Sequence, residues 1–219
     1  MLKYKCLVLD HDDTVVQTEK AIGYPYFRDY IERIRPGHTL SYAEYVHDCN
    51  DKIFADMCRE KWNFTEEELV EEYTGWKAYA LRHVPPIFPG IDRVIRRQKE
   101  KGGLVVVSSL SSRDNIRRDY EINLGLLPDA IYDYDLPHEL RKPNPYALQD
   151  IMAKYGLKPE EILVVDDMKL AWRMVKPLGV PVAFAAWGKL EFPELSWEMR
   201  QICDFSFDSP AELENFLFD

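Results

Sequence analysis

Lys5-Cys-Leu-Val-Leu-Asp-His-Asp-Asp-Thr14 is the stretch on which the fold turns. Cys6 to Leu9 is a short apolar run, the pattern of a strand buried on both faces. It stops at Asp10, and Asp12 and Asp13 follow at once. Two unit charges about 4 Å apart repel by roughly 4 kcal/mol at the effective dielectric of a protein surface. Acids forced together at the end of a buried strand therefore call for positive charge. A hard divalent cation held by carboxylate oxygens is the simplest source.

Downstream, the pattern changes from strand to helix for some seventy residues. Apolar and aromatic residues recur near helical spacing from Ile22 to Ile34, and Pro36-Gly37 breaks the run. Ser41-Tyr-Ala-Glu44 and Thr65-Glu-Glu-Glu68 are capping-box patterns, predicting helices to about Trp62 and to about His83. Pro85-Pro86 and Pro89-Gly90 close the block. It contains no strand pattern and is read as a helical insertion over residues 17–86, with 1–16 and 87–219 forming the core.

From Ile91 helix and strand patterns alternate. Strands are expected at Leu104–Val107, Ala130–Tyr134, Ile162–Val165 and Val180–Ala186, with an edge strand at Cys203–Phe207. Ser112, Asn144-Pro145 and Ser209 read as helix starts, Pro145 being placed at the first helical position. Alternation of this kind implies an α/β fold: a Rossmann-like parallel sheet with helices on both faces, plus the small α-helical cap inserted after its first strand.

The 219 residues are 46% hydrophobic and 30% charged, with a formal net charge of -10. That balance argues against a nucleic-acid partner, which would call for a basic face. It leaves room for a small anionic substrate beside a metal. No apolar stretch reaches the roughly 20 residues that span a bilayer, and the first apolar run ends in acids, unlike a signal peptide. Cys6, Cys49, Cys58 and Cys203 show neither C-x-x-C spacing nor clustering with histidine, as expected of thiols in a reducing compartment. A cytoplasmic location is therefore expected, and the chain is expected to act as a monomer or homodimer.

Ligands of such sheets gather beyond the carboxyl ends of the strands. Asp10 and Asp12, Ser108, and Asp166 and Asp167 all fall there, although distant in sequence. Together they make a phosphate site with chemistry. Asp10 is the expected nucleophile, giving an aspartyl-phosphate, and Asp12 the general acid and base. The Ser108 hydroxyl and the Ser109 backbone N–H are the expected phosphate donors. Lys142 is a point charge for nucleophile and phosphate. Asp167, helped by Asp166, completes a Mg2+ site with Asp10 and the carbonyl of Asp12. His11 is given no chemistry. Arg28, Arg33, Arg35 and Lys52 read as exposed helix charges. Tyr24, Tyr26, Phe27 and Tyr30 read as cap core, and Trp62, Trp76 and Trp172 as packing.

Four ordered motifs carry a resemblance. Asp10-His-Asp-Asp-Thr14 resembles the D-x-D-x-T of the haloacid dehalogenase (HAD) superfamily. Val105-Val-Val-Ser108 resembles its second motif, Lys142-Pro-Asn-Pro145 its lysine motif and Val164-Val-Asp-Asp167 its acidic motif. Pro89-Gly90 fits the branch with a helical cap, which includes phosphoglycolate phosphatases and β-phosphoglucomutases. The resemblance implies a magnesium-dependent phosphomonoester hydrolase acting on a small phosphorylated metabolite. A sugar-phosphate mutase and a catalytically impaired binding protein stand as the alternatives on the same scaffold. A dinucleotide-binding enzyme is disfavoured, since no G-x-G-x-x-G follows the first strand. Three positions depart from the family pattern: Asp13 stands where glycine is usual, Ser109 where asparagine is frequent and Ala171 where a further acid commonly follows.

Overall fold

The computed structural model describes residues 2–50 and 52–219. Strands β1 (Cys6–Leu9), β2 (Leu104–Ser108), β3 (Ala130–Tyr132), β4 (Ile162–Asp166), β5 (Val182–Ala185) and β6 (Phe205–Phe207) form one sheet. Their order is β3-β2-β1-β4-β5-β6, and every pairing is parallel. Parallel neighbours need crossovers, and helices supply them on both faces.

The strand residues alternate between two cores. Leu7, Leu9, Val105 and Val107 pack with Ile91 and Ile95 of α5 (Ile91–Glu100), Ile116 and Tyr120 of α6 (Arg113–Leu124) and Leu213 of α10 (Pro210–Phe218). Cys6, Val8, Val106 and Val164 pack with Leu148 and Ile151 of α7 (Tyr146–Tyr155) and Met174 of α8 (Lys169–Val175). Burial on both faces explains the unbroken apolar runs seen in the sequence.

Between β1 and α5 lie a π-helical turn (Glu19–Gly23) and helices α1 (Tyr24–Ile34), α2 (Tyr42–Cys49), α3 (Phe54–Trp62) and α4 (Glu66–Arg82). They enclose a core of their own, with Phe27, Ile31, Tyr45, Met57 and Phe64 at its centre and Phe192 and Leu195 joining from the other side. The chain leaves and rejoins the sheet side by side: Val16 bridges Ile87, and Gln17 N donates to Pro86 O at 2.9 Å. Both capping boxes form, on Ser41 with Glu44 and on Thr65 with Glu68.

Several boundaries differ from expectation. The single helix expected from Ser41 to Trp62 is two, because α2 ends at Cys49 and α3 starts at Phe54. Asn50, which follows α2, is a turn-favouring residue that competes with the helix; Asp51 lies outside the described residues. Pro145 precedes α7 instead of opening it, and Asn144 Oδ1 accepts from Tyr146 N at 2.8 Å. Helix α9 (Pro193–Ile202), which the sequence reading did not assign, packs Met199 against Phe184. All four cysteines are free thiols, with Cys6 and Cys58 buried. Among the described residues no helix is long and apolar enough to cross a membrane.

Candidate active site

Register sets the site. Leu9 pairs with Val107 on one side and with Val165 on the other. One residue further, Asp10, Ser108 and Asp166 therefore emerge at the same level of the sheet's carboxyl edge, with Asp167 next to them. Asp10 N donates to Val165 O at 2.9 Å, which continues the ladder to the last possible residue.

Lys142 arrives from the loop before α7. Its Nζ donates to Asp10 Oδ1 at 3.0 Å and to Asp166 Oδ2 at 2.6 Å, with all three residues buried. Burial alone would lower the ammonium pKa. The Asp10 and Asp166 carboxylates outweigh it, and the group stays above the ordinary lysine value. Burial pushes Asp10 well above the usual carboxylate range; Lys142 opposes that shift, while Asp166, Asp167 and Asp12 add to it.

The structure brings together most of the residues named from sequence. Asp10, Asp12, Ser109, Lys142 and Asp167 line one cavity between the sheet edge and helices α1 to α4. Asp166 sits directly behind, its Oδ1 accepting from Met168 N at 2.9 Å and its Oδ2 held by Lys142. Ser108 does not line the cavity; its hydroxyl faces Met174 Sδ at 3.8 Å. The Ser109 N–H, expected to donate to phosphate, donates to Tyr132 O at 2.9 Å, because the chain is still in register with β3. The Ser109 hydroxyl accepts from Ser111 N at 3.2 Å.

Sequence did not single out two members of the cluster, Lys189 and Glu19, and it gave a third residue, His11, no chemistry. Lys189, in the loop after β5, places Nζ 2.5 Å from Asp167 Oδ2 and 3.4 Å from Asp13 Oδ2. Its only sequence signal is a lysine following Trp187-Gly188, which carries no recognisable spacing. Glu19, in the π-helical turn, lines the cavity with its carboxyl pushed up to about 8 by burial and by Asp13 and Asp12. His11 is fully buried, its Nε2 3.0 Å from Asp119 Oδ2 on α6. Asp119 Oδ1 in turn accepts from Arg118 Nε at 2.8 Å, and Arg118 also bonds the Ala80 carbonyl of α4. A chain of polar contacts thus runs from the first loop to the insertion.

The donor set suits a hard divalent cation. Carboxylate oxygens of Asp10, Asp166 and Asp167 come within 4.8 Å of one another, and all three residues are buried. Asp12 Oδ1 is buried without a hydrogen-bond partner. Lys142 pairs with Asp10 and Asp166, Lys189 pairs with Asp13 and Asp167, and Asp12 adds a fifth carboxyl to the same edge. The excess is negative, and oxygen-only donors are the ligands that Mg2+ and Ca2+ take.

The far wall of the cavity is apolar and aromatic: Phe27, Tyr45, Phe54, Tyr73 and Trp76 line it. Trp76, expected as packing, is part of this wall. Glu72 of α4 is buried there too, and burial alone pushes its carboxyl up to about 8. A raised acid pKa favours the fold below the ordinary value, and that advantage disappears as pH rises from 4.5 through about 8. Each pH step across that window costs up to about 1.4 kcal/mol. Glu72→Gln is therefore expected to melt at least roughly 5 °C above the unmodified protein at pH 9 and level with it at pH 4.5. Thermal melts at the two pH values check this.

A family model described as haloacid dehalogenase-like hydrolase matches residues 4–168. The chain belongs to that family. Among solved structures, CbbY from Rhodobacter sphaeroides in complex with phosphate is similar at 18% identity and TM-score 0.74, covering 96% of each chain. A predicted phosphoglycolate phosphatase from Haemophilus somnus is similar at 16% identity and TM-score 0.76, covering 99% of each. A HAD family hydrolase from Deinococcus radiodurans with bound phosphate and sodium is similar at 18% identity and TM-score 0.68, covering 99% of this chain and 98% of that one. At these identities the likeness is one of fold. No curated protein matches the sequence.

Proposed function

We propose that the protein is a Mg2+-dependent phosphatase of small phosphorylated metabolites, working through an aspartyl-phosphate on Asp10. The observation that carries this reading is the buried Asp10 carboxylate, held at 3.0 Å by Lys142 and facing the same cavity as Asp12 and Asp167.

In this reading residues 1–16 and 87–219 are the catalytic core and 17–86 the cap. Lys142 aims the Asp10 carboxylate and remains protonated, so positive charge stays beside the incoming phosphoryl group. An Asp10 oxygen attacks phosphorus, the bond from phosphorus to the ester oxygen breaks, and Asp12 gives that oxygen its proton. Asp12, now a carboxylate, takes a proton from water as the water attacks the aspartyl-phosphate, which frees Asp10 and inorganic phosphate. Asp10, Asp167 and the Asp12 carbonyl, with Asp166 behind them, would hold Mg2+, which neutralises charge on the transferring group when bound. The aromatic wall receives the organic part of the substrate and keeps bulk water away from the reaction. Ser109 is the closer of the two serines to the phosphate, since Ser108 faces Met174.

Purified protein is expected to hydrolyse an aryl phosphate in Mg2+ and to lose that activity in a chelator. Asp12→Ala is expected to lower the rate by at least roughly a hundredfold, the scale of lost acid–base help. Steady-state kinetics test both, and hydrolysis unaffected by Asp12→Ala would remove Asp12 from the mechanism.

A further inference from the structure

Both oxygens of Asp167 are engaged. Oδ2 lies 2.5 Å from Lys189 Nζ, and Oδ1 accepts from the Thr14 hydroxyl at 3.3 Å. The second partner is neutral and easily exchanged. The first is a buried full charge on the carboxylate that the proposed function assigns to the metal. We propose that Lys189 is a tethered rival of the divalent cation: it occupies Asp167 when the site lacks metal and withdraws onto Asp13 when metal binds. This inference rests on the reading that Asp10 and Asp167 hold Mg2+.

The lysine is placed by a built loop. Trp187 Nε1 donates to Thr14 O at 3.0 Å, fixing the segment after β5 against the first loop. Gly188 lies so close that a Cβ there would stand 2.1 Å from Asp13 O, so a side chain at this position would force the two loops apart. Lys189 N donates to Ala186 O at 2.9 Å, and Lys189 O accepts from the Ser196 hydroxyl at 3.0 Å. Backbone and carbonyl are therefore held, and the freedom left to Lys189 is that of its side chain.

Asp13 is the other half of the device. Its backbone φ is 51°, the left-handed region that glycine occupies most easily. Glycine would suit the turn, yet an acid stands there. Its Oδ1 accepts from Glu19 N at 3.1 Å, which turns Oδ2 towards Lys189 at 3.4 Å. The carboxylate thus offers the ammonium a second buried counter-charge within a short swing of the first. Without one, leaving Asp167 would strand a buried cation, a cost of several kcal/mol.

The test is Mg2+ titration by calorimetry of the unmodified protein and of Lys189→Met, Asp13→Asn and the double variant. Asparagine tolerates the left-handed backbone and keeps an acceptor for Glu19 N. Lys189→Met is expected to bind Mg2+ at least about tenfold tighter, and Asp13→Asn at least about fivefold weaker. In the Lys189→Met background the Asp13→Asn change is expected to shift affinity by less than about twofold, because Asp13 acts through the lysine. A simple field effect would give Asp13→Asn the same penalty in both backgrounds, and that result would overturn the proposal. So would Mg2+ binding that Lys189→Met leaves unchanged or weakens. If Lys189→Met does not fold, Lys189→Gln repeats the comparison with a neutral side chain of similar reach. Absence of Mg2+ binding in every variant would sink the metal reading itself, an outcome distinct from binding that ignores Lys189.

Discussion

Asp10→Asn is expected to lower phosphatase turnover by at least about 10^4-fold while leaving the protein as stable as before, or more so. In the proposed mechanism the change removes the carboxylate that attacks phosphorus; removal of a covalent nucleophile typically costs this much or more. The stability half follows from the surroundings. Asp10 is buried, and Asp166, Asp167 and Asp12 all oppose its ionised form. Asparagine has nearly the same shape, still accepts from Lys142 through its oxygen and carries no charge to be repelled. Single-turnover hydrolysis and a thermal melt, run on the same preparation, give both readings. Turnover within tenfold of the unmodified protein would remove Asp10 as nucleophile. A large drop in melting temperature would show that the Lys142 pair outweighs the repulsion.

Lys142→Met is expected to have the largest effect on the fold. The lysine Nζ is the contact shared by Asp10 at 3.0 Å and Asp166 at 2.6 Å. Taking away one partner of a buried ionic group leaves uncompensated charge and costs about 3–5 kcal/mol. For a chain of this size that is a fall of roughly 10 °C in melting temperature. Turnover should vanish as well, since among the described residues Lys142 is the group that holds the Asp10 carboxylate. The double variant Lys142→Met/Asp166→Asn should recover part of the lost stability and none of the activity. Recovery of neither would place the role of Lys142 in packing instead of charge. Melting curves and hydrolysis assays of the three proteins distinguish these outcomes.

The contrast between what the sequence shows and what it hides has a physical basis. Cys6–Leu9, Leu104–Ser108 and Ile162–Asp166 are buried on both faces, so their apolar runs are continuous and their ends are marked by polar residues. That punctuation alone assigns Asp10, Ser108 and Asp166 to one edge of the sheet. Lys142 was legible because it belongs to a motif with a recognisable neighbour, Pro143. The orientation of Ser108 was not, since a strand-end hydroxyl can turn to either side and here Met174 receives it. The division of the Ser41–Trp62 segment went unread because a strong N-terminal capping box says how a helix begins and nothing of where it stops. Nothing in the sequence marks Glu72 or Glu19, because their burial depends on tertiary packing alone. His11 was given no chemistry, because its partner Asp119 lies more than a hundred positions away on α6.

The match to the family covers residues 4–168, and Lys189 lies beyond it. Yet its ammonium touches two of the five acids at the edge of the sheet. An active site catalogued from the shared motifs alone would therefore include Asp10, Asp12, Asp166, Asp167 and Lys142 and omit both Lys189 and its partner Asp13. Sorting relatives by whether they join an acid at position 13 to a Gly-Lys pair after the fifth strand would separate enzymes that the common signature groups together, and differences in their appetite for magnesium should follow that line.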